Sequence, residues 1–296
     1  MFIDQLIDRI RRLGTPLCLG LDPSLDLMPP VFLANRARDD AAACAEALHD
    51  YCLCVLEAAG DLVSVVKPQS AYFEMYGSHG VRALERTIVA AREHGLLVLL
   101  DAKRGDIGST SDAYARAYLA GEPRRDIEVD AMTVAPYMGG DSLEPFFKTA
   151  QRWGKGVLVL GRTSNPGGAQ LQDQQIGDRH VYEIIADWVG EWTEQSTGAS
   201  GYSGLGLVVG ATAEEQARRL RARLPRSLFL VPGMGAQAGS INAMRACFNE
   251  DKLGAIVSAS RAAMYPHLYE KAVRGGVADI RNTVLRMIGE LKLALA

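Results

Sequence analysis

The chain has 296 residues, 48% of them hydrophobic, enough to bury one large core. Its formal charge of −3 shows no basic excess, which excludes a nucleic-acid scaffold built on broad phosphate neutralisation and leaves room for a small anion held locally. Five cysteines, Cys18, Cys44, Cys52, Cys54 and Cys247, match no common zinc spacing, and reduced thiols acting as small core side chains in a cytoplasmic protein fit them best.

The opening segment "MFIDQLIDRIRRLG" places Phe2, Ile3, Leu6, Ile7, Ile10 and Leu13 at helical spacing, with charges between them. A helix is expected there and a signal peptide is not, since the apolar stretch is broken. No run approaches the ~18 apolar residues of a membrane helix, so no membrane partner is expected.

Eight short apolar runs then recur along the chain: "LCLGLD" (17–22), "LVSVVK" (62–67), "LLVLLD" (96–101), "DAMTVAP" (130–136), "GVLVLG" (156–161), "LGLVVGA" (205–211), "LFLVPG" (228–233) and "AIVSAS" (255–260). Strands this apolar are buried on both faces, as a parallel sheet covered by helices requires. Between them lie amphipathic stretches such as "ALHDYCLCVLEAAG", "GVRALERTIVAAREHG", "SLEPFFKTAQRWG" and "TAEEQARRLRARL". Strand followed by helix, repeated in this way, predicts an α/β fold, a (β/α)8 TIM barrel occupying residues 1–296 as one domain. Two connections exceed ordinary length, near 23–40 and 162–200, and both follow strand ends, where long loops serve as lids or as solvated insertions.

A barrel of this kind builds its active site at the carboxyl ends of the strands. The residues expected there are Asp22 after the first strand, Lys67 at the second, Asp101 and Lys103 at the third, and Ser258, Ser260 and Arg261 at the eighth. Side chains two apart in extended chain share a side, which would bring Asp101 and Lys103 together at the mouth. Each feature alone has an ordinary explanation: a solvated helix start for "DAKRGD", a snorkelling surface lysine for Lys67, a turn residue for Asp22 before Pro23. Together they describe a mixed charge array in which Lys103, flanked by Asp101 and Asp106, keeps its proton and can donate it, while Asp101 stays anionic. No histidine joins the array, and no His or Cys cluster supplies soft metal ligands, so metal-free acid catalysis is expected. A phosphate site is expected from "VPGMGAQAGS", with Gln237, after the seventh strand and "SASR", with Arg261, after the eighth.

On these residues the chain resembles the orotidine 5'-phosphate decarboxylase family, in particular its longer bacterial form (type 2). The motifs that carry the likeness are "LGLDPS", "VVKPQSAYFE", "DAKRGDI", "VAPYMGGDSL", "RTSNPGG", "VPGMGAQAG" and "SASR", spread over nearly the whole chain. The resemblance implies decarboxylation of orotidine 5'-monophosphate to uridine 5'-monophosphate in pyrimidine biosynthesis, without a cofactor. It implies Lys103 as proton donor to C6, Asp101 as the carboxylate facing the substrate carboxylate, Lys67 as the link from Asp101 to the ribose hydroxyls, and Asp22 as a ribose contact. It further implies Ser164 at the pyrimidine amide edge, Pro232 as a wall of the base pocket, and Gln237, Ser260 and Arg261 on the phosphate. Asp106, Ile107 and Thr110 match positions that family members contribute across a homodimer interface, into the partner's site.

Two rivals remain at this level. One is a sugar-phosphate decarboxylase or aldolase of the same barrel group, which shares the Asp-x-Lys-x-x-Asp pattern and uses magnesium. The other is a non-catalytic nucleotide-binding barrel acting as a sensor.

Overall fold

The computed structural model describes all residues except 35, 122–126, 213, 234–239 and 271–272. Eight parallel strands close into a barrel: β1 (Leu17–Leu21), β2 (Val65–Pro68), β3 (Leu97–Arg104), β4 (Ala131–Val134), β5 (Gly156–Arg162), β6 (Ser203–Val209), β7 (Ser227–Pro232) and β8 (Ala255–Ala259). Each strand pairs with the next in sequence, and β8 closes on β1 through Leu17 opposite Val257 and Leu19 opposite Ala259. The expected (β/α)8 barrel is the observed fold.

The apolar runs form strands because neither face of them meets water. Side chains pointing outward, such as Leu19, Val66, Leu100, Val157 and Val231, join the layer beneath the helices. Those pointing inward, among them Cys18, Val65, Leu99, Leu158 and Ile256, form a second cluster inside the barrel. Helix α1 (Phe2–Leu13) completes that inner cluster with Phe2, Ile3, Leu6, Ile7 and Ile10, plugging the end of the barrel opposite the strands' carboxyl ends. Gly156 is needed for this plug, because a Cβ there would stand 2.6 Å from the Phe2 ring.

The outer layer includes α2 (Ala41–Ala59), α3 (Gly77–Glu93), α4 (Gly108–Leu119), α5 (Gly140–Trp153), α6 (Val181–Thr193), α7 (Glu214–Arg223) and α8 (Val277–Leu295). Asp40 starts α2 by accepting hydrogen bonds from the Ala42 and Ala43 amides. No described helix is long and apolar enough to cross a membrane. All five cysteines are unpaired, four of them buried and Cys54 half-buried.

Three boundaries differ from the sequence reading. β2 begins at Val65 because Gly60–Leu62 coil into a 3-10 turn. β3 does not stop at Asp101 but continues through Arg104. The second long connection is shorter than 162–200: a 3-10 turn at Pro166–Gln170 and a small antiparallel ribbon, Gln175–Ile176 against Arg179–His180, fill its first half. Helix α6 takes most of the remainder, burying Tyr182, Ile185, Ala186 and Val189.

Candidate active site

Asp22, Lys67, Asp101 and Lys103, from three neighbouring strand ends, meet at one side of a cavity of about 940 Å³ at the carboxyl face of the barrel. The Lys67 ammonium donates to Asp101 Oδ2 at 2.9 Å and lies 3.8 Å from Asp22 Oδ1. The Lys103 ammonium donates to the other oxygen of Asp101, Oδ1, at 2.5 Å. The Asp101 side chain is 9% exposed and that of Lys103 44%, so the carboxylate is the sunken hub and Lys103 the member that faces the opening.

Lys103 and Asp101 do meet, as expected, but simple strand alternation is not the whole cause. Lys103 has φ 47°, in the left-handed region that non-glycine residues seldom enter. The β3–β4 ladder shifts register between Leu100 and Arg104, so the strand is bent where the lysine leaves it.

Burial by itself would push the Asp101 carboxyl up, but the ammonium groups of Lys67 and Lys103 outweigh it and hold the group well below the usual carboxylate range. Burial would likewise strip the proton from Lys67, yet Asp22 and Asp101 reverse that and raise it above an ordinary lysine. Beneath them the Cys18 thiol is pushed up to about 12 by burial, so it stays a neutral floor. Asp22 Oδ1 is buried and makes no hydrogen bond among the described residues, facing the Lys67 ammonium at 3.8 Å.

The rest of the cavity is built from β5, β6, β7 and β8. Ser164, Pro232, Ser260 and Arg261 all line it, together with the apolar Leu160 and Leu230. Arg261 opens the short helix Arg261–Met264 directly after β8 and is exposed. Gly20 on β1 allows Ser260 its place, since a Cβ at Gly20 would lie 1.9 Å from the Ser260 hydroxyl oxygen. The arrangement therefore has a charged end able to move a proton and a cationic end able to hold an anion.

A family model described as "Orotidine 5'-phosphate decarboxylase / HUMPS family" matches residues 15–262. The chain belongs to that family. Its similarity to the orotidine 5'-phosphate decarboxylase of Rhodopirellula baltica is 42% identity over 275 residues, covering 91% of this chain and 90% of the relative. With that of Clostridium tetani it is 36% over 296 residues, covering 100% and 99%. The solved OMP decarboxylase of Leishmania donovani superposes with a TM-score of 0.75 at 33% identity, over 99% of this chain and 98% of that one.

In this decarboxylase-family barrel the loop carrying Ser164 is held by its own polar hub. Arg162 pairs with both oxygens of Asp173 at 2.7 and 3.0 Å, and the Thr163 amide donates to Gln172 Oε1 at 2.8 Å. Three other expected site residues lie apart from the cavity. Asp106 accepts a hydrogen bond from the Ile107 amide at 2.8 Å, and no ion pair joins it to Lys103 among the described residues of the chain. The expectation that Asp106 flanks Lys103 therefore does not hold within one chain, because the segment after Arg104 turns outward into α4. Ile107 and Thr110 are exposed, and Asp106 is half-buried beside them. Gln237 lies outside the described residues.

Two neighbours of Asp101 escaped the sequence reading. Gln69 Nε2 donates to Asp101 Oδ2 at 2.9 Å, and the Thr133 hydroxyl donates to Oδ1 at 2.9 Å. Neither is charged, and Thr133 sits inside an apolar run. Its signal was being the one polar side chain in the interior of "AMTV". Tyr265 was also missed; its hydroxyl accepts from the Ser24 amide at 2.7 Å and donates to the Asp22 carbonyl at 3.0 Å, steadying the turn that presents Asp22. Among the described residues no group of three or more His, Cys, Asp or Glu side chains gathers at metal-ligand spacing.

Proposed function

We propose that the chain decarboxylates orotidine 5'-monophosphate to uridine 5'-monophosphate and carbon dioxide, without a metal or organic cofactor. The observation that carries this reading is the Lys67–Asp101–Lys103 array at one side of a cavity whose other side presents Arg261. Arg261, Ser260 and Gln237 take the phosphate. Asp22 and Lys67 take the ribose hydroxyls. Ser164 meets the amide edge of the pyrimidine, and Pro232 walls its face.

With the ring so placed, the C6–carboxylate bond breaks, carbon dioxide leaves, and the electron pair at C6 takes a proton from Lys103 Nζ. Solvent then reprotonates the lysine. Repulsion between Asp101 and the substrate carboxylate at about 4 Å is worth about 4 kcal/mol at an effective dielectric of 20. The upper range of ordinary enzymatic acceleration requires roughly 23 kcal/mol. Ground-state stress is thus the smaller part, the more so because two ammonium groups already offset the charge of Asp101. The larger part is stabilisation of developing negative charge at C6 by an ammonium oriented in advance. Binding of the distant phosphate helps hold that geometry.

The chain acts as one domain, in the cytoplasm, and as a homodimer. Met75, Ile107, Tyr137 and Met138 are exposed apolar side chains that follow β2, β3 and β4, neighbouring strands of the barrel. A second copy seated on that side covers them and brings Asp106, Ile107 and Thr110 toward the partner's site. The test of the activity is product analysis: the folded protein should release uridine 5'-monophosphate and carbon dioxide from orotidine 5'-monophosphate in equal amounts. Release of neither would contradict the reading.

A further inference from the structure

Both oxygens of Asp101 are fully engaged. Oδ1 receives Lys103 Nζ and the Thr133 hydroxyl, and Oδ2 receives Lys67 Nζ and Gln69 Nε2. An ionised carboxylate offers about four lone-pair sites, so the group cannot turn or accept another donor without giving one up. Asp101 is therefore a charge of fixed position.

Thr133 has a second contact that the other donors lack. Its hydroxyl oxygen accepts the backbone N–H of Lys103 at 3.0 Å, while its proton goes to Asp101 Oδ1. The contact falls at the one place where the β3–β4 ladder loses step. Pairing runs through Leu100 opposite Met132 and resumes at Arg104 opposite Val134, and the Lys103 amide between them is taken by a side chain. That same residue carries the left-handed backbone, φ 47°, which persists in a non-glycine residue only where the surroundings over-determine it. Thr133 is completely buried and is not part of the cavity wall.

We propose that Thr133 is a positioning residue for proton transfer, its hydroxyl tying the left-handed backbone of Lys103 to the carboxylate of Asp101 so that the ammonium stands in one place before the substrate arrives. The proposal rests on Lys103 being the proton donor. Valine has the shape of threonine without the hydroxyl, so Thr133→Val leaves the Lys103 amide without its acceptor and Asp101 one donor short, in a buried place where unmade hydrogen bonds are costly. The backbone then relaxes toward an ordinary φ, and the ammonium moves with it. Ser260, Arg261 and Asp22 follow other strands, β8 and β1, and Lys67 keeps its own bond to the other oxygen of Asp101, so binding of phosphate and ribose should change little.

The experiment compares kcat and KM for orotidine 5'-monophosphate in wild type, Thr133→Val and Thr133→Ser, with the Kd for uridine 5'-monophosphate and the Tm of each. A displacement of about 1 Å in a reacting group costs on the order of 10²-fold in rate, so kcat of Thr133→Val should fall by about that factor. KM and the Kd for the product should stay within about threefold, as expected when only transition-state geometry is lost. Serine keeps the hydroxyl and should restore most of kcat. A Thr133→Val enzyme with wild-type kcat would overturn the proposal, as would equal losses in valine and serine variants that follow their Tm. If the valine variant does not fold, Thr133→Ala is read against Thr133→Ser in the same way. Absence of turnover by folded wild type would overturn the decarboxylase reading itself, a result distinct from a wild-type-like valine variant.

Discussion

Asp101 and Lys67 hold opposite charges in a buried place, and their titration follows from that. The folded carboxyl of Asp101 lies well below its unfolded value of about 3.9, so its contribution to stability is present above that value and is lost as pH falls through the folded one. Lys67 is raised, so its contribution is complete below about 10.4 and is lost as pH rises through its folded value. Between about pH 4 and 10 the pair is electrically constant. In a carbon-13 carboxyl titration, with the signal assigned by Asp101→Asn, the Asp101 resonance should stay still from pH 9 down to about 4. A midpoint at or above the ordinary aspartate value would show that the two lysines do not dominate its surroundings. The charged members were legible in the sequence because several charges fall at strand ends that a barrel brings to one mouth, although each alone has an ordinary explanation. Thr133 and Gln69 were not, since a neutral hydroxyl or amide in a strand looks the same whether it faces a carboxylate or another backbone.

At the level of elements, the eight strands were legible because burial on both faces writes a continuous apolar run, while their ends were not. The polar residues of "DAKR" looked like the exit from β3, yet pairing continues to Arg104 through a register shift that no pattern of hydrophobicity encodes. Helix α6 was absorbed into a loop because the turn-rich "TSNPGGAQ" precedes it, although Tyr182, Ile185, Ala186 and Val189 carry helical spacing. Helix α7 shows a different blind spot. The amphipathic pattern of "TAEEQARRLRARL" marks the helix but not the place of Arg221, which is buried with its guanidinium 3.7 Å from the Phe229 ring centre. It donates to the carbonyls of Leu224, Ser227, Cys247 and Gly254, cross-linking α7 to the segments before β7 and β8. Burial is the largest cause and lowers this group to about 10, with Cys247, Tyr202 and the nearby Asp251 carboxylate partly opposing it, so it remains a cation whose hydrogen bonds go to backbone.

For the whole molecule, one end of the barrel is closed by α1 and the other carries every expected residue that converges on the cavity. That division between a stability end and a chemistry end was legible once the fold was, because parallel strands all finish on the same side. The assignment of Asp106 concerns two chains rather than one. Mixing Lys103→Ala with Asp106→Ala protein should restore part of the activity, since a mixed dimer holds one site with both wild-type residues. No recovery after verified subunit exchange would confine each site to a single chain.

The central claim is that Lys103 delivers the proton in a reaction needing no metal. The measurement that tests it most directly follows the ultraviolet absorbance of orotidine 5'-monophosphate with wild-type and Lys103→Ala protein, a chelator being present throughout. Loss of absorbance that persists in the chelator and falls by at least about 10³-fold in the folded variant is the predicted result, near what a positioned proton donor contributes. Turnover that the chelator abolishes, or that survives in Lys103→Ala, would contradict the account.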